Sequence, residues 1–130
     1  MLDAQYVIAV HERILAEDGG LPGFSGSGPG GVDAVLARVE NRVHYEDMHD
    51  PFAIAAMYAV AIARGHVFND GNKRTALSCA LAFLDYAGYP TSESDQWSDA
   101  DLADIMVGVA EGKVSHAELT EYFIALFLNF

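Results

Sequence analysis

Residues 66 to 74 read His-Val-Phe-Asn-Asp-Gly-Asn-Lys-Arg, which places an imidazole, a carboxylate, a glycine and two cations in one short stretch. Gly71 and the residues after it can adopt the backbone geometry in which successive N–H groups point to one spot. A helix opening there adds its positive end, so the stretch is suited to an anion. Phosphate fits best, because Arg74 can grip its oxygens with a planar fork while Lys73 supplies a point charge. Two cations at a helix N-terminus oppose the dipole, a cost that a bound anion removes. Asp70 is near enough in sequence to reach a magnesium ion bridging phosphate oxygens; its plainer role is to cap the next helix. Histidine is the side chain suited to proton transfer near neutral pH, so His66 can take a proton from an attacking hydroxyl, whereas an isolated histidine reads as structural. Phe68, apolar among polar neighbours, is expected to anchor the stretch in the core.

The flanking sequence must hold this loop between two helices. Tyr6, Val7, Val10, Ile14 and Leu15 are spaced for a first helix over Ala4 to Asp18, with Asp3 as N-cap and Gly19 and Gly20 as the stop. The following GGLPGFSGSGPGG holds seven of the twelve glycines and is expected to be a mobile connection rather than a packed element. Val32, Val35, Leu36, Val39 and Val43 mark a second, amphipathic helix. Asp50-Pro51 opens a third, FAIAAMYAVAIA, apolar nearly all round and hence central, which ends at Arg64 and Gly65. A fourth opens near Asn72 or Lys73 and closes at Gly88. Ser98 with Asp101, and Ser115 with Glu118, have capping-box spacing and predict two more, separated by Gly112. The last of them runs through Tyr122, Phe123, Leu126 and Phe127; core packing is expected at its end, with exposure of Leu128 and Phe130 to a partner or second copy as the alternative. No repeat and no alternating strand pattern is present. The expected fold is all-α, a single compact domain of about six helices spanning residues 1–130.

Composition narrows the partners. Seven Lys plus Arg against nineteen Asp plus Glu give a net charge of −12, with 52% apolar residues. The apolar fraction excludes a disordered chain, and a binder of nucleic acid lacks the basic face it would need. There is no basic leader before an apolar stretch and no apolar run of membrane-spanning length, so no membrane partner and a cytoplasmic location are expected. Cys79, the single cysteine, lies in an apolar helical run and is expected to be a buried thiol rather than a nucleophile.

HVFNDGNKRTA resembles the signature of the Fic/Doc (Fido) family and is most similar to its Doc, or death-on-curing, toxin branch. GGLPG, ARVENRVHYED and ARGH resemble that branch as well, so the likeness covers nearly the whole chain. The broader Fic pattern, HPFxxGNGRxxR, has a second glycine where this chain has Lys73 and a second arginine where it has Leu77. In AMP transferases that arginine holds the outer phosphates, so the resemblance implies a different nucleotide orientation here. What the Doc branch implies is a toxin kinase, dependent on ATP and Mg, that transfers the γ-phosphoryl to a threonine of elongation factor Tu and arrests translation. It also implies a Phd-like antitoxin whose disordered segment folds onto the toxin groove. Alternatives are AMP transfer and a catalytically idle Fic-fold binding module. Carried over by position, His66 is the general base, Asp70 the metal ligand, and Lys73 and Arg74 complete the catalytic set. Phe68, Asn69, Gly71, Asn72, Lys73, Arg74 and Ser78 are the nucleotide-binding set. Gly71 stands where the Doc branch typically has alanine, a glycine shared with the AMP-transferring branch, and Ser78 where it typically has asparagine. By the same resemblance Leu21, Pro22 and Phe24 border the edge where a substrate protein docks.

Other patterns carry less. Gly26 to Gly31 spells G-x-G-x-x-G with no strand before it. His11-Glu12 begins like a zinc-protease helix, but position 15 is Leu, so no zinc is expected. His44, Glu46, Asp47 and His49 are expected to be surface residues rather than a metal cluster.

Overall fold

The computed structural model describes residues 1–26, 28–90 and 100–128. Six helices follow in order: α1 Ala4–Asp18, α2 Gly30–Tyr45, α3 Pro51–Gly65, α4 Asn72–Tyr86, α5 Ala100–Ala110 and α6 His116–Leu128. The fold is all-α. The described residues contain no strand, only an isolated antiparallel bridge between Phe24 and Phe68.

α3 is the axis, as its all-round apolar sequence requires. It packs on α2, α4, α5 and α6, while α1 lies across α4 and α2. Ala55, Ala56, Ala59 and Ala63 of α3 and Ala76 and Ala80 of α4 are all essentially solvent-free, and side chains this small allow close approach of packed helices. Of the stripes expected on α1 and α2, Val7, Val10 and Ile14 of the first and Val32, Val35, Leu36 and Val39 of the second enter the core; Leu15 and Val43 are half-buried, and Tyr6 is exposed. Leu119 and Phe123 bring α6 into the same core, and Leu126 and Phe127 are packed partly against it.

Helix starts follow the sequence signals. The Asp3 carboxylate accepts from Tyr6 N–H at 2.8 Å and that of Asp50 from Phe52 N–H at 2.9 Å. Ser115 and Glu118 form the reciprocal capping box, at 3.0 and 3.1 Å. Ser98 lies outside the described residues, and so does Phe130. Long-range polar contacts tie the second half to α3. Arg64 donates from Nε to Val109 O and from Nη2 to Val114 O, both at 2.8 Å, which satisfies carbonyls at and beyond the end of α5. The His116 ring meets Ala53 O at 2.7 Å.

The segment after α1 corrects the expectation of a mobile connection. Residues 21–25 are a strap laid against the 66–70 loop: Ser25 N–H donates to Val67 O at 2.8 Å and Asn69 N–H to Gly23 O at 3.1 Å. The Ser25 hydroxyl donates to His66 O. Phe24 adds a ring contact with Phe68 at 5.6 Å. Glycine content suggested mobility, but here it permits close approach. A Cβ on Gly20 would lie 3.0 Å from Leu15 Cδ2 and 3.4 Å from Asp70 Cβ, at a φ of +121°.

Candidate active site

The loop starts where α3 stops. His66 is the C-cap of α3 in the left-handed region, φ 48° and ψ 41°, a conformation that a non-glycine residue adopts only when its surroundings enforce it. The enforcement is visible in the strap bonds to His66 O and Val67 O. The His66 ring is left exposed.

Inside the loop, Phe68 is buried and serves as the anchor its apolar character predicted. Asn72 braces the turn with both ends of its side-chain amide: Oδ1 accepts from Phe68 N–H at 3.1 Å and Nδ2 donates to Phe68 O at 2.8 Å. Asn69 turns its amide nitrogen to Pro22 O at 3.0 Å. The Asp70 carboxylate accepts from Leu21 N–H at 2.7 Å. It does not cap α4, whose N-cap is Gly71 with no side-chain cap bond. The first N–H groups of that helix are therefore left without the partner that Asp3 and Asp50 provide to α1 and α3. Gly71 is left-handed, φ 81°, and a Cβ there would sit 3.4 Å from both the His11 ring and Leu15. An uncapped helix start preceded by a left-handed glycine is the geometry of an anion cradle.

Lys73 and Arg74 project from the first turn of α4 and are exposed. Arg74 is not idle: its Nη1 pairs with Asp18 Oδ2 at 2.7 Å. Asp18 ends α1, where no basic residue offsets the helix dipole, so each member of this pair compensates a charge at the unfavourable end of its helix. Farther along α4, Leu77 and Ser78 are nearly buried and line an open groove of about 1030 Å³ between α1, α4 and α5. Lys73 and Arg74 are at its rim, and Ile14, Leu81 and Leu102 contribute apolar wall. The groove does not extend to His66, Asn69 or Asp70. The expected site residues thus fall into two adjoining sets joined at the first turn of α4, one against the strap and one along the groove.

The chain matches the Fic/DOC family over residues 1–84. It is 42% identical over 120 residues to the protein named Protein kinase doc from Escherichia phage P1, an alignment covering 92% of this chain and 90% of that protein. The chain belongs to the Fic/DOC family. The family match runs from the residues before α1 to Leu84, the last buried leucine of α4, and so takes in the strap, the turn and the α1 and α4 sides of the groove.

Outside this Fic/DOC site, the polar residues at the end of α2 form only local pairs, Arg42 with Glu46 and His49 with Asp47, each at 2.8 Å. Among the described residues no three His, Cys, Asp or Glu side chains gather for a metal. The donor set at the turn, one exposed carboxylate beside an anion cradle, suits magnesium, which takes one or two protein carboxylates with the rest of its shell from water and phosphate. Cys79 is fully buried, and burial pushes its thiol up to about 12 from 9.0, so it is no nucleophile. Two residues at the site were missed in the sequence. His11, dismissed with the zinc pattern, is buried in α1, stacked on Phe68 and bonded to Asp70 O. Its signal was its position among Val7, Val10 and Ile14, a polar ring on an apolar stripe. Asp18 gave the other available signal, an acid at the unfavourable end of a helix.

Proposed function

We propose that this chain is a protein kinase of the Doc kind, a toxin that transfers the γ-phosphoryl of ATP to a threonine hydroxyl of a protein, elongation factor Tu by resemblance, and so arrests translation. The observation that carries the reading is the uncapped start of α4 behind a left-handed Gly71, with Leu77 where an AMP transferase has its second arginine. The similarity to the phage P1 protein kinase supports it.

Phosphoryl transfer asks a protein for positioning and charge stabilisation more than covalent chemistry. In this reading the N–H groups at the start of α4, with Lys73 and Arg74, receive the phosphate oxygens, and Arg74 exchanges its Asp18 partner for them. Asn72 and Phe68 hold the turn in shape. His66 takes the proton of the threonine hydroxyl as its oxygen bonds to the γ-phosphorus; the bond from that phosphorus to the bridging oxygen breaks and ADP leaves. Asp70 would hold magnesium, which when bound draws charge from the phosphate oxygens. The apolar groove with a mixed-charge rim suits an amphipathic segment of a Phd-like antitoxin.

The test is to incubate the chain with elongation factor Tu and ATP labelled at either the α or the γ phosphorus. Label from γ on the protein supports the kinase. Label from α assigns AMP transfer, the branch with which the chain shares Gly71. Neither label, with ATP still bound, assigns a binding module. His66→Ala and Asp70→Asn are each expected to lower γ-transfer by at least about a hundredfold and to relieve growth arrest; full activity in either variant removes the role given to that residue.

A further inference from the structure

His11 makes two contacts with the loop from the middle of α1. Its Nε2 lies 2.7 Å from Asp70 O, and its ring stacks on Phe68 with centroids 3.7 Å apart and planes 9° from parallel. The ring is only 3% exposed. Because the partner is a carbonyl oxygen, Nε2 must carry the hydrogen. The peptide joining Asp70 to Gly71 is planar and trans, so its C=O and N–H point in opposite directions. Holding the carbonyl toward α1 therefore turns the Gly71 N–H away from α1. Gly71, lacking a Cβ, has a wider range of allowed backbone angles than other residues, so its own sterics do not fix this peptide plane, and a Cβ there would press on the same imidazole at 3.4 Å.

We propose that His11 is a positioning residue that orients the Asp70–Gly71 peptide, through a hydrogen bond from Nε2 to Asp70 O, so that the Gly71 N–H joins the phosphate cradle. The proposal rests on the phosphoryl-transfer reading for its effect on rate, but not for its effect on geometry. Stacking on Phe68 holds the ring against the loop, and the hydrogen bond converts that packing into a fixed peptide plane. Misplacing one cradle donor leaves the nucleotide able to bind but poorly aligned, so the effect falls on kcat more than on the KM for ATP.

Two substitutions separate the parts. His11→Phe keeps a stackable ring and lacks the donor; His11→Gln keeps a donor and lacks the ring. The Gly71 N–H direction is read by residual dipolar coupling in the 15N-labelled full chain, with the couplings of α3 and α4 as internal standards. The Phe variant is expected to shift the Gly71 coupling, the Gln variant to restore it, and the helix couplings to stay as in the unaltered chain. With labelled ATP, the Phe variant is expected to lose about tenfold to a hundredfold in kcat with little change in KM, and the Gln variant to recover most of that loss. An unchanged Gly71 coupling in the Phe variant, or equal shifts in both variants, overturns the proposal. Should the Phe variant fail to fold, ring 15N spectra of the unaltered chain decide: a protonated Nε2 supports the bond, and a bare Nε2 overturns it. If the unaltered chain transfers no γ-label while the Gly71 coupling moves as expected, the kinase reading fails and the positioning role stands.

Discussion

His66 sits at a backbone position better suited to glycine, with φ at 48°, and its ring makes no contribution to the core. Holding a non-glycine residue there costs on the order of 1 kcal/mol, a cost that folding alone gives no reason to keep. His66→Gly is therefore expected to unfold at a temperature no lower than the unaltered chain while losing at least about a hundredfold in γ-transfer. A clearly lower unfolding temperature would show the imidazole to be structural. Cys79 behaves in the opposite way, contributing packing and no chemistry. Its folded pKa, about 12, lies above the ordinary 9.0 because burial disfavours the thiolate. As pH rises past 9 the unfolded chain releases this proton and the folded chain keeps it, so stability is complete below that pH and falls progressively toward 12. The buried phenol of Tyr58, also raised by desolvation, adds to the same alkaline loss. Urea melts between pH 8 and 11 are expected to show a midpoint that declines above pH 9, and less steeply in Cys79→Ala.

At the scale of elements, the junction from α3 to the loop has little room. A Cβ on Gly65 would lie 2.9 Å from Cγ2 of Val35, a buried, β-branched side chain with few rotamers to retreat to. Gly65→Ala is expected to cost about 1–3 kcal/mol by forcing α2 and α3 apart, measured as a lower denaturant midpoint at unchanged slope. A variant as stable as the unaltered chain would mean that this junction yields. Helices of this kind are legible in sequence because each signal is local. Asp3, Asp50 and Ser115 with Glu118 act within three residues of themselves, and the apolar stripes of α1 and α2 need only a period. The strap was illegible for the converse reason. Its order comes from partners more than forty residues away, Val67 and Asn69, and a glycine-rich stretch looks the same whether or not such partners exist. The candidate site divides along the same line. The 66–74 stretch carries its candidate residues in adjacent letters, whereas His11 and Asp18 join them only through the crossing of α1 over α4.

For the molecule as a whole, the Fic/DOC family match ends at residue 84, yet the core does not. Leu102, Met106 and Val109 of α5 and Leu119 and Phe123 of α6 are buried with the residues of α3. The groove likewise needs α5 for its far wall, which includes Val107, an apolar residue 41% exposed. Val107→Glu is expected to leave growth arrest intact and to abolish rescue by a co-expressed Phd-like antitoxin, because a carboxylate would then face an apolar helix surface. Rescue undiminished would place the antitoxin elsewhere. The bond from His11 to Asp70 spans 59 positions in the chain, and that from Ser25 to His66 spans 41. No shorter length of polypeptide can close those links, so while a ribosome is still making this protein the 66–74 turn stays unassembled until everything from α1 to the start of α4 has emerged. The order of the strap and of the turn is thus reached together, and only once more than half of the 130 residues have been made.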